Sequence, residues 1–405
     1  MALGALIGAY QEDDSGGLRA LFPLAGRTLL EYQVRCAAAA AAAPIVVVVE
    51  RVPQALQDAF ERLRLDGVGV FPVSDVHEAV SRFEAGSMIL MIGDAIAPPA
   101  DLVARLAEEP EPAVATVVDD EAHDSFERID AETRWAGVAL VDSKTLGSTA
   151  AILGDWDLQS TLLRRTIQDG ALRIPAAGEG AEPLLVESAG QLDDFQRRLI
   201  AGSREARHDW ASRFVLPPVE DFATYQLMET PVRPGWLVWL ALVLTISAAA
   251  AFSRGWLATG LVLLLVSAPL DRIANRLATI RLRPLPKQLM SRMLLWPAAG
   301  IALLALGWWE ARHVTGWGAF LAAIAAAAFA EAARLERAAG LPGEVWLLSR
   351  RNAIFLALPF ALFGSWTAYL VVLFAYAGVS FFLVQHAWRI APELTRSERK
   401  SDKAA

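Results

Sequence analysis

The chain has 405 residues, of which 55% are hydrophobic, with a mean hydropathy of +0.36 and a formal net charge of −8. That apolar content is too high for an ordinary soluble pair of domains, so the excess must sit in particular segments. Residues 1–200 carry 32 Asp or Glu against 16 Lys or Arg, and the remainder carries 13 against 21; an acidic part that repels nucleic acid is joined to a basic part suited to anionic lipid headgroups.

In chain order, the start MALGALIGAY lacks the basic region of a secretory signal and reads as a first strand. Short apolar runs follow: ALIGAY (5–10), IVVVVE (45–50), GVGVFPV (67–73), MILMIGD (88–94), AVATVVD (113–119) and GVALVD (137–142). Continuous Val and Ile runs bounded by turns predict buried strands, and the intervening RTLLEYQVRCAAAAAAA and VPQALQDAFERLRL predict covering helices. The expected architecture over 1–200 is an α/β sheet wound by crossovers, with its ligand beyond the carboxyl ends of the strands. The single cysteine, Cys36, excludes an internal disulfide and suits a reducing compartment.

Residues 201–234 form a joint. Pro217-Pro218 breaks it, and VEDFATYQLMETPV has the apolar spacing of an amphipathic helix lying at a membrane interface. From there to 390 six apolar stretches occur: Gly235 to Ala251, Trp256 to Pro269, Met293 to Trp308, Trp317 to Ala332, Ala353 to Ser365 and Ala368 to Ala387. Crossing a hydrocarbon core takes about 20 helical residues, so those at 256, 293 and 353 must borrow flanking residues. An unsignalled N-terminal domain is expected in the cytoplasm. Six spans then place 270–292, 334–352 and the basic tail 391–405 on that side of the inner membrane, and these segments hold nearly all the Arg and Lys of the membrane part. Most tryptophans lie near span ends, as an aromatic belt requires, and the five histidines show no ligand spacing.

The stretch Leu18 to Arg35, LRALFPLAGRTLLEYQVR, resembles a segment of sugar-phosphate nucleotidyltransferases in which a basic residue precedes a Leu-Leu-Pro turn, Gly-Lys-Pro-Leu and a helix. Arg19 stands where that family has a phosphate-contacting Lys, and Pro23 and Gly26 match, while Arg27-Thr28 replaces Lys-Pro. Asp94, in MIGDAI, stands where the family places a metal-binding aspartate. The resemblance implies a GT-A-like α/β fold with Gly16, Gly17, Arg19 and Asp94 at a nucleotide's phosphates and Mg²⁺ at Asp94. The loop GAYQEDDSGGLR departs from it: Glu12, Asp13 and Asp14 put three negative charges where a triphosphate would rest.

The joint and the spans are similar to the CDP-alcohol phosphatidyltransferase fold, in which a Ser-Arg-aromatic element precedes a surface helix and a Thr-Pro turn; Ser212, Arg213, Phe214, Thr230 and Pro234 fit. The fusion order resembles inositol-phosphate cytidylyltransferase joined to di-inositol phosphate phosphate synthase. That resemblance implies two divalent cations held by four aspartates at the end of the second span. Laid from Asp271, this sequence has Ala274, Arg292 and Trp296 at the positions of the other three aspartates, and Asn275 at that of a glycine. The resemblance leaves Asp271 as the remaining candidate metal ligand and the best candidate for a catalytic residue, but one carboxylate does not hold two Mg²⁺ ions, which argues against the family's metal-dependent transfer. Arg276, Arg281, Arg283 and Arg292 are then candidates for direct binding of a lipid phosphate, beside the simpler reading of basic residues that orient the spans. Three functions stay open: a catalytically degenerate membrane protein of phospholipid or inositol-lipid head-group metabolism, an active CDP-alcohol phosphotransferase with an atypical site, and a scaffold that binds anionic or CDP-linked lipid or nucleotide beside a partner enzyme.

Overall fold

The computed structural model describes residues 2–152, 157–176, 182–203, 209–230, 232–283, 285, 290–336 and 344–401, with side chains to 386. Lys287, Gln288, His208 and the side chains of the basic tail lie outside the described residues. Two units separate: Met1–Arg204 with Met228–Pro231 and Thr279–Arg283, and Glu205–Leu227 with Val232–Ala278 and Pro284–Ala405.

The first unit is built on a seven-stranded sheet of β1 (Leu3–Gly8), β2 (Ile45–Val48), β3 (Val70–Val73), β4 (Met88–Ile92), β5 (Ala113–Val118), β6 (Thr133–Asp142) and β7 (Leu172–Pro175). Their spatial order is β7-β5-β6-β4-β1-β2-β3. β1 runs parallel to β2 and β4, whereas the long β6 is antiparallel to both of its neighbours. Continuous burial of Ala5, Leu6 and Ile7, and of Ile89 to Ile92, is what a strand covered on both faces requires. The first helix, Leu29–Ala39, starts where it does because of a capping box: the Thr28 hydroxyl accepts from the Glu31 N–H at 3.2 Å, and the Glu31 carboxylate accepts from the Thr28 N–H at 3.0 Å. All six expected strands are present with shifted ends, and the seventh, β7, was not expected. β7 is an edge strand whose residues are mostly exposed, so no apolar run announces it.

The second unit is helical. Among the described residues, five helices are long and apolar enough to cross a membrane: Pro234–Ser253, Leu257–Ile280, Met290–Thr315, Trp317–Glu336 and Trp366–His386. The sixth expected stretch forms the helix Arg350–Leu362, whose 13 residues give a length of roughly 20 Å, short of the usual span. Small residues dominate the helix contacts: Ala248, Ala302, Ala319, Ala323 and Ala377 are all buried in one cluster. Close approach through small side chains is how helices associate where no water drives them together.

The joint helix Pro217–Met228 is inverted relative to a soluble amphipathic helix. It buries Glu220 and Thr224 and exposes Val219, Phe222 and Tyr225, with Phe214 and Val215 exposed just before it.

Candidate functional site

In the first unit, chemistry gathers at the carboxyl ends of the adjacent strands β1 and β4. After β4 the chain turns through Gly93, Asp94 and Ala95, the last in the left-handed region at φ 56°. The Asp94 side chain is buried; its Oδ2 accepts from the N–H groups of Tyr10 at 2.6 Å and Gln11 at 2.7 Å. The Asp94 N–H donates to Gln159 Oε1 at 3.1 Å, and Gln159 Nε2 donates to the Ile92 carbonyl at 3.1 Å. A Cβ on Gly8 would lie 3.0 Å from Asp94 Cβ and 2.9 Å from Gln159 Nε2, so glycine lets β1 approach this turn. Asp94 Oδ1 is buried and has no hydrogen-bond partner among the described residues. Burial pushes the Asp94 pKa up and outweighs the neighbouring N–H groups and Arg19, which lower it. Tyr10 Oη donates to Asp157 Oδ1 at 3.0 Å, and burial, then Asp157 and Asp94, push its phenol far up.

The loop after β1 folds around one of its own acids. Asp13 Oδ1 accepts from the Ser15 N–H at 2.9 Å, the Ser15 hydroxyl at 2.7 Å and the Gly17 N–H at 2.7 Å. The Ser15 hydroxyl first, and the Gly17 N–H next, lower the Asp13 pKa. Gly16 adopts φ +77°, which a side chain resists. Outside the loop, Arg51 pairs with Glu12 at 2.6 Å and donates to the Gly16 carbonyl. Arg19 Nε donates to the Glu12 carbonyl at 3.1 Å. Gly16, Gly17 and Arg19 therefore share one loop, and Asp94 anchors its first residues. Two of the loop's N–H groups, those of Ser15 and Gly17, are taken by a carboxylate from within it. Tyr10, Arg51, Asp157 and Gln159 were not singled out by sequence. Their contributions depend on partners 35 to 147 residues away, and no local spacing signals such pairings.

The helical unit holds a second polar cluster. Asp271 Oδ1 accepts from Arg350 Nη2 at 3.0 Å, and Asp271 Oδ2 accepts from Arg351 Nη2 at 2.5 Å. Arg351 Nη1 also reaches Asp209 Oδ2 at 3.2 Å. Arg276 Nη1 lies 2.7 Å from Asp221 Oδ1, and Arg292 Nη1 donates to Asn275 Oδ1 at 3.4 Å. Arg281 and Arg283 belong to the first unit. There Arg281 Nη2 donates to the carbonyls of Thr230 at 2.6 Å and Met228 at 3.1 Å, while Arg283 pairs with Asp66 at 2.8 Å. Burial, then the charges of Arg27, Arg35 and Arg283, push the Arg281 pKa down to about 10. The four arginines proposed as one phosphate-binding group thus divide between the two units.

Among the described residues no three His, Cys, Asp or Glu side chains form a metal-sized group. Asp94 still offers one buried, unpartnered oxygen, which fits a Mg²⁺ carried mostly by nucleotide phosphates and water. Asp271 does not fit a cation site, because both of its oxygens receive guanidinium N–H groups.

Residues 15–174 match the family model of the MobA-like NTP transferase domain. No curated protein matches the chain. Among solved structures, the chain is similar to a Bacillus anthracis protein described as a glucose-1-phosphate thymidylyltransferase, crystallised with sucrose. The likeness covers 48% of this chain and 96% of that one, at 11% identity and a TM-score of 0.40. The protein therefore has an N-terminal α/β nucleotidyltransferase-like domain, followed by a helical region with five candidate membrane spans.

Proposed function

We propose that this is a membrane-anchored relative of nucleotidyltransferases, working in phospholipid head-group metabolism, whose nucleotide loop is closed by its own acid. The observation that carries this reading is the Asp13 carboxylate on the Ser15 and Gly17 N–H groups. An incoming triphosphate has to displace an anion already satisfied by three donors and must approach Glu12 and Asp14 as well. The membrane half, similar in its entry segment to CDP-alcohol phosphotransferases, does not perform two-metal transfer in this reading, because Asp271 is committed to Arg350 and Arg351. The nucleotide-like domain then serves as a binding or scaffolding part beside a partner enzyme.

The N-terminal domain and the tail both face the cytoplasm of an inner membrane in this reading. The short helix Arg350–Leu362 supports that topology. Just before it the Leu348 N–H donates to Ser380 Oγ, and just after it Thr367, at the start of the last helix, donates to Glu310, so the short helix runs antiparallel to the last one.

Calorimetric titration of the full chain with CTP, with and without Mg²⁺, tests the closed loop. Wild type is expected to bind weakly. Asp13→Ala is expected to bind about tenfold more tightly, the return from two freed N–H donors to a charged acceptor. Tight Mg²⁺-dependent binding by wild type with release of pyrophosphate would instead establish an active transferase. The specific support for that second reading is the unpartnered Asp94 Oδ1 beside Arg19.

A further inference from the structure

The helical unit holds a partly open cavity of ≈ 320 Å³. It is about twice the size of an engineered apolar cavity of about 150 Å³ that takes up benzene, and it falls at the lower end of the range for small-molecule sites. Its wall is almost wholly hydrocarbon, including Phe252, Leu264, Leu303, Ile354 and Leu373. Interiors are close-packed, and a void forfeits the contacts of every side chain that lines it. A space of this size among membrane-length helices therefore calls for an occupant, and apolar walls exclude water as that occupant.

The polar residues of the wall are Ser349, Arg350, Glu331 and Tyr369, whose hydroxyl donates to the Ala353 carbonyl at 3.2 Å. Arg350 is nine-tenths buried and gives Nη2 to Asp271 Oδ1 and to the Ser267 carbonyl, but its Nη1 is buried with no partner among the described residues. Glu331 does not supply one, since its carboxylate is engaged by Arg334 at 2.8 Å. A guanidinium in the wall of an apolar cavity, with one terminal nitrogen left without a partner among the described residues, selects an acceptor oxygen, and an anionic one most strongly.

We infer that this cavity holds the hydrocarbon chain of an anionic single-chain amphiphile, with a phosphate or carboxylate oxygen of its head on Arg350 Nη1. The inference is independent of nucleotide binding by the first unit. Gly300 lines the cavity, and a Cβ placed on it meets nothing within 4 Å, so a larger residue there fills the chamber without displacing a neighbour.

The test uses the full chain, delipidated in detergent and titrated with oleoyl lysophosphatidate, monoolein or inorganic phosphate, with native mass spectrometry and calorimetry as readouts. One lysophosphatidate is expected per chain, held about tenfold more tightly than monoolein because of a single charge-assisted hydrogen bond, and phosphate alone is expected not to displace it. Gly300→Leu, or Ala327→Leu should the first variant fold poorly, is expected to lose both amphiphiles with its melting temperature held or raised. Arg350→Gln is expected to bring lysophosphatidate down to the level of monoolein. Undiminished binding by the cavity-filled variants, equal affinity of wild type for the two amphiphiles, or displacement by phosphate alone would each overturn the assignment.

Discussion

Asp94 shows how one side chain is pulled in two directions. Its Oδ2 is satisfied by two N–H groups while its Oδ1 is buried without a partner, and burial dominates, so its pKa lies above the usual carboxylate value. An acid whose folded pKa is raised binds its proton more tightly in the native state. Its contribution to stability is therefore lost as pH rises from the unfolded value through the folded one, and stays lost above it. Asp94→Asn keeps an acceptor for Tyr10 and Gln11 but carries no charge. The melting temperature of the variant minus that of wild type is expected to be more positive at pH 7 than at pH 3.5. A difference independent of pH would show that Asp94 does not titrate between those limits. The strand-ending aspartate was legible in sequence; its orphan oxygen was not, because that depends on Tyr10 and Gln159 arriving from elsewhere in the chain.

The helix Arg350–Leu362 begins with two cations, the wrong sign for the positive end of a helix dipole. Ser349 caps it by accepting from the Asn352 N–H at 3.1 Å. Asp271 and Asp209, from other segments, supply the missing negative charge. Replacing Asp271 by Asn leaves two poorly solvated guanidinium groups sharing a neutral amide, and a loss of about 3 kcal/mol is expected from thermal unfolding in detergent. Chelation of divalent metal is expected to leave wild-type unfolding unchanged. A chelator-sensitive melting temperature would return Asp271 to the role of metal ligand. Sequence placed Asp271 correctly at the end of an apolar stretch, and it treated Arg350 and Arg351 only as orienting charges. Their pairing spans 79 and 80 residues, beyond any helical or strand period.

Across the whole molecule, the acidic and basic halves coincide with the α/β and helical units. The proposed topology, with the N-terminal domain and tail on one side, is open to a direct measurement. In a Cys36→Ser background, Arg254→Cys is expected to react with a membrane-impermeant maleimide in intact cells, and Ser397→Cys only after permeabilisation. Labelling of Ser397→Cys in intact cells would mean that the helix Arg350–Leu362 does not complete a crossing. Because that helix is about 20 Å long, it needs a thinner apolar layer or neighbours that shelter its ends.

Composition and periodicity by themselves determined that Val and Ile runs make a buried sheet and that membrane-length helices follow it. Those properties depend on local spacing and on the transfer of side chains out of water, both of which a single chain carries in order. Only the tertiary structure decided that Asp13 fills its own loop, that Asp271 is neutralised by arginines, and that Arg350 keeps one buried nitrogen without a partner among the described residues. Each of these is a pairing between segments whose partners are chosen by packing, and the energy of a charge depends on the neighbour it finally meets.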